Sequence, residues 1–141
     1  MKKVLFVCTG NTCRSPMCEA YFNMLGAQYV AHSAGINAVD GSPAALNAVK
    51  AVSDAGGDLS KFKSRRLEKQ MIEESELVVA LTSAHLRAVL AISPEAASKT
   101  ILLNGSCDIS DPFGGDYQIY RECFEEIKYA IDELLSKINH K

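Results

Sequence analysis

Residues Lys3 to Cys8 (KVLFVC) are a short apolar, β-branched run that stops at Gly10. Uniform apolarity over so few residues fits a strand covered on both faces, because a strand with one wet side would alternate. Such a strand needs helices above and below it, and the rest of the chain supplies them. Ser15 to Leu25 opens with Ser-Pro and spaces Met17, Ala20, Tyr21, Met24 and Leu25 as a helix does. Tyr29 to Ser33 reads as a second strand closed by Gly35. Ser42-Pro43 opens a helix whose stripe of Ala44, Ala45, Ala48, Val49 and Val52 stops at Gly56-Gly57.

Arg65 to Glu74 is a charged, helix-favouring segment, and the charged run from Lys61 to Lys69 is expected to be a solvated helix face that can help to dock a protein substrate. Leu77 to Leu81 is a third strand, Ser83 to Ile92 a helix ended before Pro94, and Thr100 to Leu103 a fourth strand. A last helix carries Ile119, Cys123, Ile127, Ile131, Leu134 and Leu135 on one stripe. Strands alternating with helices imply βαβ units, a four-stranded parallel sheet and helices on both faces: an α/β three-layer sandwich. Ligands of such sheets sit beyond the carboxyl ends of the strands, here the loop that begins at Cys8.

Composition narrows the function. With 141 residues, of which 48% are hydrophobic, residues 1–141 are expected to form one domain with an ordinary core. Fifteen Lys and Arg against 17 Asp and Glu leave a net charge of -2, which offers no electrostatic footprint for nucleic acid. The apolar stretch Val4 to Val7 is too short for a signal-peptide core, and no apolar run approaches the ~18 residues of a membrane span, so a soluble cytoplasmic protein is expected. An odd count of five cysteines without a secretion signal points to reduced thiols. Their spacing lacks the short gaps of structural zinc sites, and no metal is expected.

The stretch CTGNTCRSP, Cys8 to Pro16, carries the chemistry. Five residues between Cys8 and Arg14 can curl into a nest whose N–H groups converge on one centre, with a helix N-terminus adding its positive end. Gly10 and Asn11 tolerate the left-handed angles that so tight a ring requires. Arg14 can grip two phosphate oxygens with its planar fork. A thiol facing aligned N–H groups, a guanidinium and the Ser15 hydroxyl is expected to have a lowered pKa, which would make Cys8 a nucleophile. The blander reading makes Cys8 a buried structural cysteine and Arg14 an exposed residue at a helix start. A nucleotide P-loop is excluded, since no Gly-Lys-Ser/Thr follows.

Phosphoryl transfer to sulfur also needs an acid for the leaving group and then a base for water. Asp111, before Pro112 and Phe113, is the candidate: a residue preceding proline is held extended, here on the same sheet edge as Cys8. Taken alone, Asp-Pro is an ordinary turn.

CTGNTCRSP near the amino terminus, HSAG at His32 to Gly35 and DPFGG late in the chain together resemble the low-molecular-weight protein tyrosine phosphatase family over the whole chain. The resemblance implies a flavodoxin-like fold, no metal or organic cofactor, phosphorylated protein substrates and a phosphocysteine intermediate. It implies Cys8 as nucleophile, Arg14 as phosphate-binding arginine, Asp111 as general acid, Asn11 as loop-shaping asparagine and Ser15 as thiolate-stabilising hydroxyl. Cys13 matches a second loop cysteine that can trap an oxidised nucleophile as a reversible disulfide. Cys8, Arg14 and Asp111 are thus the expected catalytic residues, and Thr9, Gly10, Asn11, Thr12, Cys13, Ser15 and Phe113 the expected substrate-binding ones.

The family's commonest loop has an aliphatic residue where this chain has Thr12. Threonine there, with a DPFGG acid loop, resembles the bacterial protein arginine phosphatases, which act on phosphoarginine. A hydroxyl can hydrogen-bond a guanidinium, whereas an aliphatic wall suits a phenyl ring. Phe113 offers one ring for stacking on the planar cation, and Gly114 stands where tyrosine-specific members often have a second aromatic. Alternatively, Thr12 only stabilises the loop, and the substrate is phosphotyrosine. Related arsenate reductases use a further cysteine pair, for which Cys107 and Cys123 are the candidates, although Cys123 reads as a core residue. A non-catalytic phosphoprotein-binding module would keep the cradle and lose the nucleophile or the acid. Of the histidines, His85 and His140 read as solvated and His32 as facing a strand end, and Tyr21 and Tyr29 read as packing residues.

Overall fold

A computed structural model describes residues 2–26, 28–105 and 107–139. His140 lies outside them. Four parallel strands, β1 (Lys2–Cys8), β2 (Tyr29–Gly35), β3 (Leu77–Ala80) and β4 (Thr100–Leu102), lie in the order β2-β1-β3-β4. Helices α1 (Arg14–Met24), α2 (Leu46–Asp54), α3 (Lys69–Glu73), α4 (Ser83–Ile92) and α5 (Tyr117–Asn139) connect and follow them, with a 3-10 turn at Pro94–Lys99. This is the expected three-layer sandwich around a parallel sheet.

β1 shows why its sequence is uniformly apolar. Val4, Phe6 and Cys8 point into a core shared with α1, α2 and α5, where Phe6 meets Phe22 edge-on at 5.8 Å between ring centres. Leu5 and Val7 point into the opposite core, with Val78, Ile72 and Val89. Successive strand residues face opposite sides, so a central strand between two helical layers has no wet position. β2 lies to one side of β1 and β3 to the other, which puts the switch in strand order beside the loop after Cys8.

Several expected elements shift. The first helix starts at Arg14, one residue before Ser15, and Pro16 fits in its first turn, where no N–H partner is needed. β2 continues to Gly35 because its whole length pairs with β1. The helix expected from Ser42 begins at Leu46. Only Lys69–Glu73 of the charged segment is helical: Gly35 N–H donates to Arg65 O and Leu67 N–H to Gly35 O, both at 2.9 Å, so pairing beside β2 overrides helix propensity there. Lys61 to Glu68 is therefore not a helix face. Ile119 departs from the buried stripe of α5 and is 46% exposed, lying over the Gly115 backbone rather than in the core.

Candidate active site

β1 ends at Cys8, and the chain turns immediately through 9–13 into α1. Asn11 makes the turn possible with φ 56°, a left-handed angle held by its own side chain. Its Nδ2 donates to Ser15 Oγ at 2.8 Å and Ser33 Oγ at 3.0 Å, while its Oδ1 accepts from Arg65 N–H at 2.8 Å. Below the loop, Ile36 and Asn37 N–H donate to the Cys8 and Thr9 carbonyls, and Ala45 N–H donates to Thr12 O, all at 2.9 Å. Gly35 lies so close that a Cβ there would sit 2.5 Å from Thr9 O and 2.9 Å from Asn11 N. This is the physical demand behind the glycine of HSAG: only a residue without a side chain lets β2 support the loop.

Cys8 is buried, with Sγ 2.7 Å from Ser15 Oγ. Burial pushes its thiol up, against the opposing pulls of the Ser15 hydroxyl, the Ser15 and Asn11 N–H groups and the Arg14 charge. The lowered pKa expected from the sequence is thus corrected: the groups that would hold a thiolate are all present, but loss of water around the sulfur outweighs them. Cys13 Sγ lies 3.2 Å from the Tyr120 hydroxyl, and both are buried.

Arg14 is 6% exposed, so the reading of it as an exposed helix-start residue falls. Its Nη1 donates to Ile109 O at 3.0 Å, and its Nη2 lies 3.7 Å from Asp111 Oδ2. Asp111 reaches this pair from the stiff turn after β4, where its Oδ1 accepts from Phe113 N–H at 3.0 Å. The carboxyl is 58% exposed and at the mouth of the site, where it can exchange protons with solvent. The cleft, of about 280 Å³, has the whole 8–14 loop as its floor and wall, joined by Asn37, Asp111 and Phe113. Phe113, 78% exposed, stands at the rim. Every expected site residue except Ser15 lines this cleft, and Ser15 lies beneath it against the sulfur.

Sequence reasoning missed three contributors. Asn37 lines the cleft two residues beyond HSAG, and Ser33, accepting from Asn11 and donating to Glu19 at 2.8 Å, braces the loop from β2. His85, read as solvated, is 2% exposed and bonded to Thr9. Its spacing of four from buried Val89 on α4 was the available signal. His32 is half-buried in mid-strand rather than at a strand end. Cys123 is buried, with its thiol donating to Ser110 O at 3.5 Å, and its pKa is pushed up to about 12 by burial, as befits a core residue. Among the described residues no cluster of His, Cys, Asp and Glu could hold a metal ion, and no helix is long and apolar enough to cross a membrane.

A strand-loop-helix cleft with a cysteine at its base, an arginine opening the helix and an aspartate at its mouth is the arrangement that a cysteine-dependent phosphatase needs. The chain belongs to the low molecular weight phosphotyrosine protein phosphatase family, whose pattern matches residues 3–141, and it is accordingly a cysteine-dependent protein phosphatase. It is 37% identical over 142 residues to a protein-arginine-phosphatase of Geobacillus stearothermophilus, covering 96% of this chain and 95% of that one. The solved YwlE arginine phosphatase from Geobacillus stearothermophilus superposes with a TM-score of 0.94 at 36% identity, over 99% of this chain and 94% of that one. A low molecular weight protein tyrosine phosphatase from T. tengcongensis is similar at a TM-score of 0.92 and 36% identity, over 97% and 99% of the two chains. A cysteine-to-serine mutant of YwlE arginine phosphatase with a phosphorylated active-site serine matches at 0.91 and 32%, over 97% and 95%.

Proposed function

We propose that this chain, acting as one domain over residues 1–141, hydrolyses phosphoarginine on proteins through a phosphocysteine intermediate. The observation that carries the substrate choice is Thr12, whose place in the cleft wall with Asp111 and Phe113 gives a guanidinium a hydroxyl, a carboxylate and one aromatic face. The relatives named as arginine phosphatases support the same reading. In the first step, Cys8 attacks as the thiolate, the form that the Ser15 hydroxyl, the Ser15 and Asn11 N–H groups and the Arg14 charge favour, its proton having gone to solvent. Sulfur bonds to phosphorus as the P–N bond breaks, and Asp111 gives its proton to the departing nitrogen. Arg14 and the loop N–H groups hold the phosphoryl oxygens. In the second, Asp111 takes a proton from water, whose oxygen displaces the sulfur and releases phosphate. The phosphorylated serine of the mutant relative supports a covalent phosphoryl group at this position.

Comparing phosphoarginine and phosphotyrosine peptides by kcat/KM tests the substrate. Wild type is expected to favour phosphoarginine, and Thr12→Ile to shift the ratio toward phosphotyrosine by roughly ten- to several-hundredfold, the scale of one hydrogen bond made or left unmade. A wild-type preference for phosphotyrosine together with a ratio unmoved by Thr12→Ile would replace this reading with the tyrosine phosphatase one, which the family and the T. tengcongensis structure favour.

The site is also proposed to be redox-sensitive. Mild peroxide is expected to join Cys8 to Cys13 with loss of activity, and dithiol to restore both. Mass spectrometry finding Cys8 overoxidised beside a reduced Cys13 would count against the pairing. A working thiol nucleophile suits a reducing compartment, so we place the enzyme in the cytoplasm, a placement that cell fractionation checks.

A further inference from the structure

Neither step of the proposed reaction uses the imidazole on the inner face of α4. His85 is 2% exposed, its Nε2 lies 2.8 Å from Thr9 Oγ1, and its Nδ1 is buried with no hydrogen-bond partner among the described residues. Thr9, next after the nucleophile, is exposed and lines the cleft. The ring thus has one end on the site and the other in the core.

This placement decides where the ring proton sits. Burial first, and then the Arg14 charge, lower the His85 pKa to about 4 against the pull of Asp108 and Asp111, so the ring is neutral and carries one N–H. A proton on Nδ1 would be a buried donor with no acceptor. On Nε2 it is donated to Thr9 Oγ1 and satisfied. Thr9 Oγ1 therefore accepts from the ring, which leaves its own hydroxyl proton free to be donated elsewhere, and Thr9 lines the cleft.

We propose that Thr9 is a phosphoryl-binding side chain and that His85 is the positioning residue that fixes its hydroxyl as a donor, adding one O–H to the loop N–H groups and the Arg14 fork. This rests on the cleft being a phosphate site, and not on whether phosphoarginine or phosphotyrosine is the substrate. A donor to a charged oxygen outweighs one to a neutral acceptor, and its loss is felt in oxyanion affinity before anything else. The hydroxyl is what matters, so serine can replace threonine.

The test is a double-mutant cycle read by competitive inhibition with inorganic phosphate, alongside kcat and KM for p-nitrophenyl phosphate. Thr9→Val is expected to raise the phosphate inhibition constant roughly tenfold, and Thr9→Ser to stay near wild type. His85→Leu should weaken phosphate binding in the parent and add nothing in the Thr9→Val background, because the hydroxyl it positions is already gone. His85→Gln, which keeps an N–H near the Nε2 position, should recover most of the loss, and if the leucine variant does not fold His85→Ala takes its place in the cycle. Effects of Thr9 and His85 that multiply would make His85 a structural residue and overturn the proposal, as would a Thr9→Val variant that binds phosphate as wild type does. Failure of phosphate to inhibit the wild type at all would overturn the phosphate-site reading together with this one.

Discussion

Cys8→Ser is expected to abolish turnover, lowering kcat by roughly 10⁴-fold or more, while phosphate or vanadate still binds. The two effects separate because the sulfur and the cradle do different work. The loop N–H groups and the Arg14 fork come from a backbone held by the Asn11 side chain, Gly35 and the Ile109 carbonyl. The sulfur meets this frame only at the Ser15 hydroxyl and the Asn11 and Ser15 N–H groups, contacts that a serine oxygen can also make. Serine keeps the loop and exchanges a polarisable nucleophile for an alcohol that is hard to deprotonate. Isothermal titration with phosphate, set beside a single-turnover assay of the same preparation, checks both halves. Activity near wild type would remove the covalent mechanism. Loss of phosphate binding as well would mean that the sulfur also shapes the cradle.

Asp111→Asn should lower the turnover number by roughly 10²- to 10⁴-fold for leaving groups that need a proton, and much less for p-nitrophenyl phosphate, whose phenolate leaves unaided. The carboxyl projects from a turn made rigid by Pro112 and by its own bond to Phe113 N–H, 3.7 Å from the arginine expected to hold the phosphoryl group. Asparagine preserves that turn and cannot give up a proton. A phosphoarginine substrate raises the stakes, since its nitrogen must be protonated as the P–N bond breaks. Equal losses for good and poor leaving groups would assign Asp111 to binding instead of proton transfer.

Much of this site was legible because its main parts are local. The KVLFVC run announces a central strand, and the residues that curl after it are contiguous, so the proposed nucleophile, the proposed phosphate cradle and its arginine can be read without knowing the fold. Asp111 is distant in sequence but marked by its proline. Other features depend on what the fold brings together. Arg65 and Arg66 look helical until Gly35 claims their backbone, and His85 looks like a surface residue until its neighbour Val89 shows which face of α4 is buried. The Cys8 thiol shows the same limit in energetic terms. Its charge partners are written in the loop, but the depth that outweighs them belongs to the finished core.

Asn11 sets a limit on how portable the phosphate loop can be. Its three hydrogen bonds run to α1, to β2 and to the segment that follows α2, so the left-handed turn at its centre is enforced by parts of the chain up to 54 residues away. Freezing a free backbone costs ~1–2 kcal/mol for each residue, and a nine-residue peptide copied from CTGNTCRSP would have to meet that cost from its contacts with a single ion. It would carry the thiol, the guanidinium and all the amides and still be a random chain in solution. Transplanting the activity to another scaffold therefore means transplanting three strangers to the motif: a serine from one strand, a glycine at its end and a backbone amide from beyond the second helix.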